Sequence, residues 1–173
     1  SILTGSPDIG GSRASMALMA SEVLGIPFEQ IHPQVAATDA VGHTDVTGGS
    51  RTTLATGQAV IQAAEECVAE MCRRAAAEWE VEPGVVTWSQ GAAHYGDQSL
   101  TFEDLAGRAG AMGGPLTFST SLTSTSTAPG FGVHICDAEV DKETGRTTIT
   151  RYTAIQDAGK AIHPDYVEGQ MQG

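Results

Sequence analysis

The sequence predicts an α+β fold with two layers, in which helices pack on one face of a mixed β-sheet. Two observations support this class. The predicted elements follow the order β-α-β-α-β-β-α, and a β-hairpin and the start of another helix come after them. The strict alternation of strands and helices that is typical of parallel α/β folds is missing. With 173 residues, the chain is long enough for one domain with its own core.

In the first half, a short strand at 2–4 leads into a glycine-containing loop. Methionines and alanines at helical spacing predict a helix over 14–24, and Gly25 stands where a C-terminal glycine cap belongs. A second strand is expected within 27–37. After a polar loop, the longest helix is predicted over 52–79, with an apolar stripe on one side and its glutamates, Glu70 among them, in solvent.

In the second half, two short strands are expected at 85–88 and 92–95, and an edge strand with a loop at 117–127. A short helix should begin at Thr101, because Thr101 and Asp104 have the spacing of a capping box. The clearest strands are 131–140 and 147–156, which flank a hairpin loop. Pro164 is well placed to start the last helix.

The composition excludes some functions. The chain carries 21 acidic and only nine basic side chains, a net charge of −12, whereas nucleic acids and anionic membranes require basic surfaces. Three cysteines give no disulfide framework, and we expect them to be reduced. No apolar run approaches the ~20 residues of a membrane span, and no signal peptide is visible. We therefore expect a cytoplasmic protein, and, since the chain opens on Ser1, a piece of a longer one.

A tetrapeptide, Gly-Gly-Ser-Arg, occurs twice, each time before a predicted helix. We call 10–13 the first GGSR turn and 48–51 the second GGSR turn. Glycines let a ligand approach the backbone, serine is a preferred N-cap, and the N–H groups of a first helical turn attract anions. Arg13 and Arg51 are also the only lysine or arginine side chains among the first 72 residues, where eight acids occur. This pattern predicts an anion site, with plain helix capping as the alternative.

Two other groups of side chains are weaker candidates. Asp39, His43 and Asp45 lie in one loop, but their spacing matches no recognised metal motif, so solvated loop residues are the preferred interpretation. His134 and Cys136 share one face of a predicted strand, and no orienting group is visible for a nucleophile and base. Core packing is the preferred interpretation there.

Several segments together resemble the molybdenum hydroxylases, the superfamily of xanthine dehydrogenase and aldehyde oxidase, in their molybdopterin-binding large chain. They run in the same order through nearly the whole sequence. The segments are 5–12, 20–27, 38–39, 47–53, 130–134, 157–159, 162–164 and 167–170.

The resemblance implies a molybdopterin cofactor, in bacteria often a cytosine dinucleotide with a diphosphate, and molybdenum that is held by the pterin. It implies that both GGSR turns hold phosphates and pterin, and that a C-terminal glycine–glutamine pair completes the pocket. The implied residues are Gly10, Gly11, Ser12, Arg13, Gly49, Ser50, Arg51, Thr52, Thr53, Gly169 and Gln170.

The resemblance also implies an activity, the hydroxylation of an aldehyde or N-heterocycle with water as the oxygen source. The implied partners are iron–sulfur and FAD subunits or domains and the rest of the molybdenum subunit. The family's catalytic glutamate corresponds to a position beyond Gly173, so no catalytic residue is assigned and the fragment alone is expected to be inactive. Many members have a glutamine between the glycines of the first loop, where this chain has Gly11 and Ser12.

Two other functions remain open from the residues. One is a phosphate- or nucleotide-binding module without redox chemistry, which the same GGSR turns would serve. The other is a structural domain in which both turns only cap helices.

Overall fold

The computed structural model describes residues 1–48, 51–122 and 129–173. The chain forms two compact units, Ser1–Thr125 and Ser126–Gly173. The first unit holds three α-helices and five strands among its described residues. Their bounds are β1 Ile2–Thr4, α1 Ser12–Leu24, β2 Pro33–Val35, α2 Gly57–Glu78, β3 Thr87–Ser89, β4 Ala92–Tyr95, β5 Gln98–Thr101 and α3 Phe102–Gly107. The second unit comprises β6 Phe131–Val140, β7 Thr147–Asp157 and α4 Pro164–Gln172.

Helix α1 ends where the sequence predicts. Gly25 adopts a left-handed backbone with φ 69°, and its N–H donates to the carbonyl of Ser21 at 2.8 Å. A Cβ at this position would collide with the backbone N of Gly91, which itself has φ 72° in the β3–β4 turn. Glycine is therefore required both by the conformation and by the close approach of two backbones. The indole Nε1 of Trp88 donates to Leu24 O at 3.0 Å and fastens the same end.

Helix α2 is the longest element and contributes to two hydrophobic clusters. Near its start, Val60 packs with α1 residues Met16, Ala17 and Ala20. Near its end, Met71 and the alanines that follow pack with residues of the β3–β5 sheet and with Leu105 of α3, which is fully buried. The predicted apolar stripe of this helix is confirmed. Five residues of π-helix, Thr52–Thr56, precede α2 without a break.

The α+β class is confirmed, but the pairing is divided among three small sheets among the described residues. β1 and β2 pair in parallel, while β3–β4–β5 and β6–β7 are antiparallel. The expected single mixed sheet is therefore wrong in its connectivity. The reason is length: β1 and β2 have only three residues each, too few for the sequence pattern to show which partners they select. Strand β5 was not predicted. Of the edge strand and loop expected at 117–127, residues 117–122 are irregular, and residues 123–127 lie outside the described residues.

The hairpin of the second unit agrees with its prediction. β6 and β7 pair from Phe131↔Asp157 to Val140↔Thr147, with a register shift between Asp137 and Ala138. In the turn, Asp141 Oδ1 accepts hydrogen bonds from the backbone N–H groups of Glu143 and Thr144 at 2.8 and 3.2 Å. These bonds to the ionised form lower the pKa of Asp141, that from Glu143 most.

The capping box of α3 provides a direct test of the fold. Thr101 Oγ1 accepts from Asp104 N at 3.1 Å, and Asp104 Oδ2 accepts from Thr101 N at 3.0 Å. We expect Thr101→Ala to lower the free energy of unfolding by about 1 kcal/mol, because a helix N–H loses its partner. Thr101→Ser keeps the hydroxyl and serves as the control in urea denaturation. Equal losses in the two variants would show that the methyl group, and not the cap, is responsible.

Candidate cofactor-binding site

The first GGSR turn forms the entry to α1. Gly10 and Gly11 have φ values of 56° and 79°, in the left-handed region that glycine adopts without strain. Gly11 is the N-cap residue, and Ser12 is the first residue of the helix. The expectation that Ser12 caps the helix is therefore wrong. The left-handed glycines bring the chain into the helix one residue earlier than the serine pattern indicates.

Ser12 is buried, with 8% of its surface exposed, and it organises the loop before the helix. Its Oγ accepts from the backbone N–H of Ile9 at 3.2 Å and donates to Asp8 Oδ1 at 3.1 Å. A hydroxyl that is buried in this way needs both partners, since an unsatisfied polar group costs free energy. Ser12 thus holds Asp8 beside the helix start.

Asp8 occupies the positive end of α1. Its Oδ1 also accepts from the backbone N–H of Arg13 at 3.1 Å, and its Oδ2 forms an ion pair with Arg13 Nε at 2.7 Å. The backbone hydrogen bond from Arg13 and then the bond from its side chain hold the pKa of Asp8 below its ordinary value. The carboxylate therefore takes the place that the sequence pattern offered to an external anion on the N–H of Arg13.

Arg13 is still available to a ligand. The ion pair with Asp8 uses Nε, and the arginine side chain is 54% exposed while that of Asp8 is 27% exposed. A guanidinium has two hydrogen-bonding edges, and pairing at Nε leaves the edge of Nη1 and Nη2 outside this contact. That edge matches two oxygens of a phosphate.

The second GGSR turn is described in part, because Gly49 and Ser50 lie outside the described residues. Arg51 begins the helical stretch, and Thr52 and Thr53 belong to its π-helical start. Short π-helical segments are frequent at functional sites. Arg51 Nη1 lies 3.5 Å from Asp45 Oδ2 and donates to Val46 O at 3.3 Å. Each of the two arginines thus has a preceding aspartate as its partner.

Contacts join the loops that carry the two turns. Ser6 Oγ and Thr56 Oγ1 are hydrogen-bonded at 2.9 Å, which connects the loop before α1 with the π-helical stretch. A Cβ at Gly5 would collide with Thr44 Oγ1, so the loop before the second turn lies directly against this glycine. Next to this junction, a Cβ at Gly57 would lie 2.6 Å from the sulfur of Met19, so α1 and α2 approach closely. The fold therefore brings together the segments on which Arg13 and Arg51 stand.

The C-terminal candidates belong to the second unit. Asp157 Oδ1 accepts from Gly159 N at 2.9 Å after β7, and Pro164 begins α4 as predicted. Gly169 and Gln170 lie within α4, where Gln170 is exposed and space is open around the Cα of Gly169. The structure places both residues in a helix, and their role in cofactor binding stays a prediction.

The other sequence candidates gain little from the structure. Within 1–48, 51–122 and 129–173, no group of three or more His, Cys, Asp or Glu side chains is placed to hold a metal ion. Cys136 is exposed, so the expected core packing of His134 and Cys136 is not seen in the hairpin. His134 Nδ1 is hydrogen-bonded to the hydroxyl of Tyr152 at 2.7 Å, which gives the histidine a partner that the sequence did not indicate.

Sequence reasoning missed the role of Asp8 and Asp45. The sequence did contain a signal for these ion pairs, because an aspartate stands five residues before Arg13 and another stands six residues before Arg51.

In the described part of the chain, no helix is both long and apolar enough to cross a membrane.

A family model described as the molybdopterin cofactor-binding domain matches residues 1–173, the whole chain. The chain belongs to this family. The resemblance to the molybdenum hydroxylases is therefore confirmed.

The sequence is similar to segments of the chains of several enzymes. It is 30% identical over 173 residues to the carbon monoxide dehydrogenase large chain of Hydrogenophaga pseudoflava, a match that covers 94% of this chain and 21% of that one. It is 30% identical over 172 residues to xanthine dehydrogenase of Drosophila subobscura, covering 98% and 12%. It is 27% identical to the nicotine 6-hydroxylase large subunit of Paenarthrobacter nicotinovorans, covering 94% and 21%. The chain thus spans about a fifth or less of the length of these relatives.

Solved structures agree with the family. A Cu,Mo-CO dehydrogenase in its carbon monoxide reduced state superposes with a TM-score of 0.78 and 26% identity, over 97% of this chain and 22% of the other. Quinoline 2-oxidoreductase from Pseudomonas putida 86 has a TM-score of 0.75 at 23% identity, which supports the fold alone.

Proposed function

We propose that this chain is part of the cofactor-binding domain of a molybdenum-dependent oxidoreductase that hydroxylates an aldehyde or an N-heterocycle with water as the oxygen source. The observation that carries the proposal is the family match over residues 1–173. The relatives are named as dehydrogenases and a hydroxylase, which supports an oxidoreductase. When bound, molybdenum supplies the two-electron oxidation of the substrate.

The donors of the first unit fit an anionic cofactor. Arg13 and Arg51 are partly exposed, at 54% and 41% of their side chains, and the segments that bear them are joined by the Ser6–Thr56 contact. Residues 1–72 contain eight acidic side chains, and Arg13 and Arg51 are the only lysine or arginine side chains in that stretch. Two guanidinium groups suit a diphosphate, whose charge is spread over several oxygens.

The proposed cofactor is the molybdopterin cytosine dinucleotide. Gly10 and Gly11 allow its close approach to the backbone, and the two arginines bind the diphosphate. We also propose contacts with the phosphates or the pterin for Ser12, Gly49, Ser50, Thr52 and Thr53. Gly169 and Gln170 of the second unit are proposed as further cofactor contacts. The tight internal bonding of Ser12 supports a role in shaping the loop around the cofactor.

The proposal extends to the complete protein. Residues 1–173 form part of a larger molybdopterin-binding domain, which is completed by the rest of the molybdenum subunit. Iron–sulfur and FAD subunits or domains receive the electrons, and the protein is cytoplasmic. The catalytic base is outside this chain. The alternative of a phosphate- or nucleotide-binding module without redox chemistry has no support from the relatives, since their names denote redox enzymes.

The test is the cofactor content of the full-length protein that contains this chain. Purified from a host that makes the cofactor, it should contain molybdenum and pterin in equal amounts, as measured by elemental analysis and by pterin fluorescence after oxidation. Hydrolysis of the diphosphate should release one cytidine monophosphate per pterin. A well-folded preparation without molybdenum and pterin would contradict the proposed function, and a loaded one without cytidine monophosphate would contradict the dinucleotide form alone.

A further inference from the structure

We propose that Asp8 is a positioning residue for the cofactor, since its carboxylate fixes the guanidinium of Arg13 with the Nη1–Nη2 edge toward the diphosphate. This inference rests on the proposed function, in which Arg13 contacts the diphosphate. Asp8 would not contact the ligand itself, but it would determine the orientation in which the guanidinium of Arg13 meets the diphosphate.

The geometry around Asp8 links the backbone and the side chain of the same arginine. Oδ1 accepts from Arg13 N at 3.1 Å, and Oδ2 pairs with Arg13 Nε at 2.7 Å. Ser12 Oγ donates to Oδ1 at 3.1 Å and fixes the carboxylate from the other side. With both oxygens engaged, the carboxylate cannot rotate without losing a bond. The guanidinium that it holds is therefore restricted before a ligand arrives, which reduces the entropy lost on binding.

Because Asp8 pairs with Nε of Arg13, the Nη1–Nη2 edge of the guanidinium remains available to a ligand. Of the pair, the carboxylate is the more enclosed, with 27% of its side chain exposed against 54% for the arginine. Nη1 and Nη2 lie beyond Nε at the end of the more exposed side chain, so theirs is the edge that can face a ligand. A phosphate that binds both nitrogens gains a bidentate contact, which is stronger and more directional than a single one.

The second turn supplies an internal comparison. Asp45 lies 3.5 Å from Arg51 and contacts Nη1, and the side chain of Asp45 is 64% exposed. The Asp45–Arg51 pair is longer than the Asp8–Arg13 pair and more exposed to solvent, and it occupies Nη1, one of the two terminal nitrogens of the guanidinium. It should therefore restrict Arg51 less, and Asp45→Asn should affect the cofactor less than Asp8→Asn.

Asp8→Asn in the full-length protein tests the proposal. Asparagine keeps an oxygen for the N–H of Arg13 and for the hydroxyl of Ser12, but it has no second oxygen for Arg13 Nε. We expect the molybdenum and pterin content per polypeptide to fall about fivefold, as for the loss of one well-oriented ionic contact. The melting temperature of the cofactor-free protein should stay close to that of the unmodified protein, because the helix start remains capped.

Two controls separate positioning from other roles. Asp39→Asn removes the same charge from a loop carboxylate that makes no ion pair with Arg13 and should leave the cofactor content unchanged. In an Arg13→Ala background, Asp8→Asn should have no further effect, because Asp8 acts through Arg13.

The outcomes are distinct. Unchanged or increased cofactor content in Asp8→Asn, with a loaded unmodified protein, would overturn the positioning role and leave the proposed function intact. An additive loss in the Arg13→Ala background would also overturn it. Absence of molybdenum and pterin from the unmodified protein would overturn the proposed function itself and the role of Asp8 with it.

Discussion

The full-length protein with both Arg13→Ala and Arg51→Ala should retain less than about one tenth of the normal molybdenum and pterin. Each guanidinium is expected to make a charge-assisted hydrogen bond to the diphosphate, and such bonds contribute about 1.5–3 kcal/mol each. A tenfold change in affinity corresponds to about 1.4 kcal/mol, so losing two contacts exceeds this threshold even with partial compensation. The effect should be large because no other lysine or arginine occurs among the first 72 residues.

The control for this loss is Arg108→Ala. Arg108 has a similar exposure, 45% of its side chain, and pairs with Glu78 at 2.8 Å at the far end of α2 from the π-helical stretch. It should leave the cofactor content unchanged. If Arg108→Ala lowered the content as much as the double variant, a general effect of charge would replace the specific site. If the double variant kept its cofactor, both GGSR turns would be helix starts only.

The pattern of the two turns was visible in the sequence, but their internal chemistry was not. The repetition of Gly-Gly-Ser-Arg before a helical pattern predicted two helix starts, and α1 and the stretch that begins at Arg51 are present. The sequence could not show that Gly11 becomes the N-cap, because that depends on two successive left-handed residues. Nor could it show that Asp8 folds back on Arg13, since the three residues 9–11 between Asp8 and the start of α1 permit many distances.

The pairing of the short strands was harder to predict than the long elements, for a physical reason. α2 and the β6–β7 hairpin have many residues that repeat one hydrophobic or turn pattern, so errors at single positions cancel. β1, β2 and β5 have three or four residues, and their pairing depends on tertiary contacts. The same limit applies to sites: the sequence indicated which residue types could hold an anion, and the contact of Ser6 with Thr56 required the fold.

Glu70 is a case in which the sequence pattern misled. It falls outside the apolar stripe of α2 and was predicted to be solvated, yet its side chain is only 21% exposed. Arg73 contacts it through Nε and Nη2, both at 2.6 Å, and Arg74 Nε donates to it at 2.9 Å. Periodicity marks the apolar side of a helix, but it does not show that long charged side chains cover one another beside that face.

The largest loss of stability is expected for Arg74→Met. Arg74 is 6% exposed, and its Nη1 donates to Gly114 O at 2.9 Å while its Nε binds Glu70. Methionine fills similar space but leaves Glu70 with one cationic partner and the carbonyl of Gly114 without this donor. We expect the free energy of unfolding to fall by about 2–3 kcal/mol, somewhat less than for a fully isolated buried charge, because Arg73 remains.

Arg73→Met is the matched control, measured by urea denaturation beside Arg74→Met. Arg73 has 57% of its side chain exposed, so its loss should lower the free energy of unfolding much less than the loss of Arg74. Equal losses in the two variants would show that the carboxylate of Glu70, and not the burial of Arg74, determines the effect.

Acid provides an independent measurement of the same cluster. Hydrogen bonds from Arg73 and then from Arg74, against the opposing effect of burial, lower the pKa of Glu70 from 4.5 to about 2. A carboxyl group with a depressed pKa contributes stability that is complete above its ordinary pKa and is lost as protons bind. The contribution of Glu70 should thus be full above about pH 5 and decline as the pH falls from 4.5 toward 2. Glu70→Gln cannot titrate, so its stability should change less over that interval, and an unchanged pH dependence would assign the acid sensitivity to other carboxylates.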